Sequence, residues 1–390
     1  MNSDTVLANA RIVLDKEILR GSVLVRDGAI ADISPGPSAL GTDLAGDHLL
    51  PGVVELHTDH LEHHLHPRPA VRWDGIAAVL AHDAQMAASG ATTVFDAVRI
   101  GTTPTEETGL AGAAGLLVDA LDRAGADGIL RVEHAIHLRC EVSAANCMDG
   151  FAEFADHPRV RLVSLMDHTP GQRQFTRIED FARYYTGKGL IAEADIEASA
   201  TELQELSARH SAHNRQQVAA AASERGLVLA SHDDATPEHV AEADALGARI
   251  AEFPTTVDAA RVAVERGLST VMGAPNIMLG GSQSGNVAAT DLIDQGLLHI
   301  LSSDYVPSSP LQAVFRLVDD GAISLVDGVR LVSGHPARAA GFDDRGRIAL
   351  GMRADLVRVQ LHAQPGPHDR PSRYRVPVVR GVYRRGTRVA

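Results

Sequence analysis

Eight short apolar runs, separated by alanine-rich stretches of helical period, constrain this chain more than any other feature. The runs fall at residues 53–59, 92–98, 131–141, 160–168, 227–234, 248–253, 268–273 and 297–304. Amphipathic stretches such as 74–90 and 213–225 lie between them. Strand and helix in strict alternation is the pattern of βαβ units with a parallel sheet. Eight such units predict a closed (β/α)₈ TIM barrel, an α/β fold whose active sites sit where the strands end.

The ends of the chain read differently. VLANARIVLD and SVLVRDGAIADI near the start, and ADLVRVQ and VPVVRGVYRRGTRV near the finish, alternate around Gly and Asp breakers. A small β-sandwich domain built from both termini is therefore expected, with residues 1–50 and 345–390 flanking a barrel over 51–344. A 390-residue chain accommodates a barrel of roughly 250 residues plus such a satellite. Residues 171–212 form one long connection on the catalytic side, an expected lid.

Polar side chains stand at the tips of several runs. VVELHTDH ends the first, and side-chain alternation places His57 and Asp59 on one face, two residues apart. HAIHLRCE ends the third with His137, Arg139 and Glu141. His168 closes the fourth, His232 lies at the tip of the fifth, and Asp304 ends the eighth. Each alone is more often a satisfied structural residue. Together His57, His168 and His232 with Asp59, Glu141 and Asp304 bring three histidines and three carboxylates to one barrel mouth. Neutral imidazoles and carboxylates bind a divalent metal, one or two ions, with zinc (Zn²⁺) favoured and manganese (Mn²⁺) the alternative. Glu141 is the candidate bridge between two ions, and Asp304 the candidate acceptor of the proton from a nucleophilic water.

Other features point to an anionic substrate. GAPNIMLGGSQSGN follows the seventh run, and Asn276, Gly280, Gly281 and Ser282 offer backbone N–H groups where barrels often hold phosphate; a plain turn is the alternative. Arg68, Arg72, Arg139, Arg173 and Lys188 lie in or near the expected mouth or lid, where two or three would grip phosphate and the rest would be surface charges or ion pairs. The tract HTDHLEHHLHPRP reads as a loop above the first strand, from which His60 could still reach the mouth. Net charge is −14, which disfavours nucleic acid and membrane surfaces as partners. Two cysteines, Cys140 and Cys147, are expected as free thiols in a cytoplasmic setting, and no signal peptide or membrane span is read.

LLPGVVELHTDH and the late GRIALGMRADLV resemble the amidohydrolase superfamily. HTDHLE with PRPAVRW, HLRCE, SLMDHTPGQRQF, LASHDDAT, MGAPN with GGSQSGN, and ILSSDY are similar to its phosphonate-metabolism branch, over nearly the whole chain. That resemblance implies metal-dependent hydrolysis of a ribose 5-triphosphate to the 5-phosphate and pyrophosphate, within the carbon–phosphorus lyase pathway. It also implies that His57, Asp59, His168, His232 and Asp304 are metal positions, with Glu141 in place of a carbamylated lysine. The superfamily's first motif is HxH, where this chain has Asp59 in the third position. Its paired histidines lie on strands five and six, where this chain has them on four and five, so Glu252 becomes a candidate ligand or substrate contact. Homodimers are frequent in the fold. A deaminase or amidase acting on a C–N bond, and a non-catalytic scaffold, are the competing expectations.

Overall fold

The protein, seen in a computed structural model, is described over residues 4–68, 71–104, 113–175, 177–187, 190–282, 285–365 and 371–390. Eight parallel strands pair side by side in chain order. They are Val53–Thr58, Ala91–Ile100, Glu133–Glu141, Val160–Met166, Val228–His232, Ile250–Glu252, Ser269–Gly273 and Ile300–Ser302. The first and last meet where Thr58 bridges Asp304, and the Asp304 backbone N–H donates to the His57 carbonyl over 3.1 Å. That contact closes the sheet into the expected barrel. Helices follow the strands and form the outer layer. The helices Pro237–Ala245 and Val257–Glu265 both start at a threonine, Thr236 and Thr256, whose hydroxyl accepts from a backbone N–H of the first turn.

A two-residue repeat explains where the barrel core ends and the mouth begins. Val54, Phe95, Ala135, Leu162, Ala230, Ile250, Val271 and Ile300 fill the interior as one buried cluster. Burying each large side chain of this kind contributes roughly 1.5–3 kcal/mol. One pleat further along, the same inward face carries His137, Ser164, His232, Glu252, Gly273 and Ser302. The apolar layer thus supports a polar layer at the C-terminal rim. The first strand departs from simple alternation. Three steps along it, from Glu55 to Thr58, oppose two steps from Val94 to Asp96 on its neighbour, a bulge that re-aims the intervening side chains.

Both termini build a second sheet of eight strands, with its own core. Thr5–Val13 pairs with Ile18–Arg26, and His48–Pro51 lies between Thr5–Val13 and Leu356–Pro365. Leu7, Ile12, Val23, Leu49, Leu356 and Tyr383 share one buried cluster, so strands from both ends of the chain enclose the same apolar space. The opposite contacts, Val357, Val359 and Val382, join the cluster that includes Leu311 and Phe315 of the barrel's outer helices. Pro51 and Val53 are separated by one residue, Gly52, whose added Cβ would lie 2.2 Å from the Thr92 hydroxyl oxygen. Only glycine allows that close passage from the terminal sheet into the barrel.

The 171–212 connection contains the helix Ile178–Gly187 and the first half of a 29-residue helix, Ile196–Glu224. Phe175, Phe181, Tyr185, Ile191, Ile196 and Leu203 pack into a small core of their own over the mouth.

Candidate metal-dependent active site

A cavity of about 640 Å³ opens at the C-terminal rim, lined by His57, Asp59, Arg139, His168, His232, Asp304 and others. Six positions scattered along the chain from His57 to Asp304 therefore converge on one space. His57 and His232 stack with ring centroids 5.5 Å apart, and His168 approaches His232 edge-on at 5.9 Å.

Behind the rings stand carboxylates. Glu252, fully buried, lies 3.1 Å from His57 Nδ1 and 3.2 Å from His232 Nδ1. A carboxylate can only accept, so both imidazoles donate Nδ1–H and keep a lone pair on Nε2. Glu141 serves His168 in the same way at 2.6 Å from Nδ1. It also accepts from the Ser143 hydroxyl at 2.8 Å and from Arg99 at 3.2 Å. Glu141, expected as a bridge between two ions, thus stands behind His168 with its oxygens engaged by His168, Ser143 and Arg99. Burial favours its neutral form, but the charge and hydrogen bond of His168, with Arg99, outweigh this and hold it at about 2. His57 and His232 are driven down to about 3, first by burial, which keeps both rings neutral. His137 lies beneath them: its Nδ1 donates to the Leu56 carbonyl at 3.1 Å, and its Nε2 meets the Ser164 hydroxyl at 2.9 Å.

Asp233 is a participant that the sequence pattern did not single out. In a regular strand it would point away from His232. Its backbone is left-handed, φ 56°, and its carboxylate instead comes within 3.5 Å of His232 Nε2 and 3.9 Å of His168 Nε2. Phe253 and Asp304, at the next tips, share this conformation with φ of 52°. Left-handed non-glycine residues are costly and gather at functional sites. The signal available in the sequence was the doubled acid of SHDD.

The donor set fits a divalent cation. His168, His232 and Asp233 each bring one ligand atom within 4.8 Å of the others, as do His57, His232 and Glu252. Asp59 Oδ1 is buried without a hydrogen-bond partner among the described residues. Asp304 is raised to about 8 and Asp233 to about 7, both chiefly by burial, with neighbouring carboxylates adding for Asp304. Converging acids in a low-dielectric mouth repel one another unless a cation stands among them.

The cationic candidates separate. Arg139 stays in the mouth, 3.6 Å from Asp59. Arg173, expected on the lid, is corrected to a buried structural role: it pairs with Asp234 and, at 3.1 Å, with Glu242. Burial with two partners leaves it no free face for phosphate. Arg68 and Arg72 are likewise corrected. Arg68 is exposed and bridges Val71, and Arg72 borders an outer groove with Leu65, Trp73 and Arg123. Lys188 lies outside the described residues. Two arginines not singled out beforehand, Arg99 and Arg183, do line the mouth. Asn276, Gly281 and Ser282 also line it, while Gly280 caps the short helix Ala274–Leu279 with φ 77°. Asn276 orders that loop by accepting from Ala289 N–H at 2.9 Å. The HTDHLEHHLH tract forms a helix, His60–Leu65, where a loop was expected.

The amidohydrolase family model matches residues 191–390. A curated relative from Escherichia coli (strain K12), alpha-D-ribose 1-methylphosphonate 5-triphosphate diphosphatase, is 45% identical over 356 residues, 90% of this chain and 94% of its own length. This chain belongs to the amidohydrolase family. Solved structures share the fold at much lower identity. N-acetylglucosamine-6-phosphate deacetylase from Pasteurella multocida superposes with a TM-score of 0.63 at 13% identity, over 99% of each chain. L-hydantoinase from Arthrobacter aurescens gives 0.54 at 17%, over all of this chain and 96% of that one. Within this amidohydrolase, the paired histidines sit after the fourth strand and on the fifth, as the sequence count had them.

Proposed function

We infer that this amidohydrolase is a diphosphatase that converts alpha-D-ribose 1-methylphosphonate 5-triphosphate and water to the 5-phosphate and pyrophosphate. The 45% identity across nearly the full length of the diphosphatase relative carries the reading. A mouth that sets Arg99, Arg139 and Arg183 beside acids and neutral imidazoles supports it. Neutral C–N substrates have no use for three guanidinium groups, whereas a triphosphate does.

His57, Asp59, His168, His232, Asp233 and Asp304 would hold one or two divalent ions, zinc by donor type or manganese. A divalent cation there supplies Lewis acidity, lowering the pKa of water and neutralising phosphate charge. The chain's own groups do the rest. Arg99, Arg139 and Arg183 bind the phosphate oxygens and offset charge that builds during transfer. Gly281 and Ser282 line the same cavity from the loop after the seventh strand. Phe175, Tyr184 and Tyr185 of the lid border the cavity and limit bulk water. Asp304 accepts the proton of the attacking water at its carboxylate. The water oxygen bonds to one of the two phosphorus atoms, α or β, the bond from that atom to the bridging oxygen breaks, and the bridging oxygen leaves on the other phosphorus. Glu252 and Glu141 hold His57, His232 and His168 in the tautomer that keeps Nε2 free.

Phosphorus NMR of the products decides the reaction. One equivalent of pyrophosphate per 5-phosphate is expected. Orthophosphate alone, or ammonia from a C–N substrate with the triphosphate untouched, would overturn the reading.

A further inference from the structure

A second group of histidines lies outside the mouth, on the flank of the barrel. His60 and His64 occupy one face of the helix His60–Leu65, four residues apart, and His82 faces them from the helix Gly75–Ala88. One ring nitrogen from each lies within 4.8 Å of one from both others. Ring centroids are 5.4 Å apart for His60 and His64 and 5.9 Å for His64 and His82.

The hydrogen bonds around these rings leave the same atom over in each. His82 is completely buried, and its Nε2 meets Asp96 at 2.7 Å. Among the described residues, its Nδ1 is buried with no partner. His64 Nε2 is held by the Gln85 side-chain oxygen at 3.0 Å, which makes Nε2 the donor and Nδ1 the lone-pair atom. His60 Nδ1 is buried and also without a partner among the described residues. Burying one unsatisfied polar atom costs roughly 1–3 kcal/mol, so two in one cluster point to an absent third party. Asp96 is anchored in turn by His134, 2.7 Å away, which also reaches Asp83 at 3.3 Å. A carboxylate behind an imidazole whose far nitrogen is bare is the usual support of a metal-bound histidine.

We propose that His60, His64 and His82 form a second divalent transition-metal site, separate from the mouth, with Asp96 orienting His82 and water completing the shell. Three imidazoles select zinc or a similar borderline ion over magnesium or calcium. Tetrahedral zinc sets ligand nitrogens roughly 3.4 Å apart, so modest rotamer adjustments would close the present spacing. The ion would be structural. It would pin the helix that begins beside Asp59 to the helix Gly75–Ala88, and so steady the first rim carboxylate.

Zinc content of the purified full chain tests this, with the double variant His57→Ala/Asp304→Asn to weaken the mouth. That double variant should still bind one equivalent of zinc, and adding His64→Gln should remove it. Cobalt loaded in place of zinc should give a tetrahedral absorption band that depends on His64. Asp96→Asn should weaken the flank site about 10–100-fold while leaving it measurable. Unchanged zinc content and an unchanged cobalt spectrum in His64→Gln would overturn the proposal. Should the double variant fail to fold, the comparison of wild type with His64→Gln decides alone: one equivalent lost supports the site, and none lost refutes it.

Discussion

Glu252 Oε1 lies 3.1 Å from His57 Nδ1, although 195 residues of chain separate them. The other oxygen of the same carboxylate holds His232 Nδ1 at 3.2 Å. One buried side chain therefore sets the tautomer of two rings. Glutamine at this position has one acceptor and one donor. One histidine would have to turn its Nδ1 lone pair to the amide and place a proton on Nε2, where it could no longer ligate. Glu252→Gln should fold normally by circular dichroism and bind metal at the mouth about 10–100-fold more weakly, read by competitive chelator titration.

Asp304 carries the proposed proton acceptance. Its carboxylate sits close enough to Gly273 that an added Cβ there would lie 3.1 Å from Oδ2. Asp304→Asn keeps the shape and removes the base, so kcat for pyrophosphate release should fall about 10²–10⁴-fold with a smaller change in KM. Gly273→Ala should act through the same carboxylate by displacing it, and should also lower kcat. A Gly273→Ala enzyme with unaltered kinetics would show that the position of Asp304 is not critical.

The barrel was legible because its periodicity is local. Each strand needs only an apolar residue and, two positions on, a polar one at the rim, as in Ala230 and His232 or Ile250 and Glu252. His168 and His232 could be picked out for that reason, and His57, Asp59 and Asp304 because they stand at the ends of their runs. Asp233 could not, because its contribution depends on a left-handed backbone that reverses the alternation expected after His232. The cations were least legible. Arg173 and Arg183 both fall in the long lid segment. Which one meets the cavity depends on Asp234 and Glu242, acids far along the chain that neutralise Arg173. Sequence gives an arginine's charge but not the partner that spends it.

Those two arginines should therefore behave oppositely. Arg183 has a largely exposed side chain beside Asp180 and lines the mouth. Arg183→Ala should leave thermal stability nearly unchanged and raise KM for the triphosphate about 10–100-fold, the loss of one charge-assisted contact of about 1.5–3 kcal/mol. Arg173→Ala strands the buried Asp234 without its partner and should destabilise the fold by about 3–5 kcal/mol in urea unfolding.

Chelation should both inactivate and loosen the protein. Ions bound only by the folded chain stabilise it by mass action, about 2.7 kcal/mol when free metal stands at a hundred times its dissociation constant. Removing them should lower Tm by several degrees, and restored zinc or manganese should return Tm and pyrophosphate release together. An apo protein with full activity would refute metal dependence.

The last expectation concerns pH and lies away from any metal. His48 is buried in the terminal sheet, with its ring edge-on to Phe315 at a centroid distance of 5.9 Å. Burial, aided by Arg11 and Arg375, lowers its pKa to about 4 from 6.5. A histidine depressed in the folded state takes up its proton more readily when unfolded. Its contribution is therefore intact above pH 6.5 and is lost as the pH falls from there towards 4. Between pH 7.5 and 5 the linked loss is about 2 kcal/mol. His48→Gln cannot titrate, so its unfolding free energy should change less over that interval than that of the wild type, by about this amount in paired urea titrations. Parallel pH profiles for the two proteins would mean that His48 titrates in the folded state much as it does unfolded.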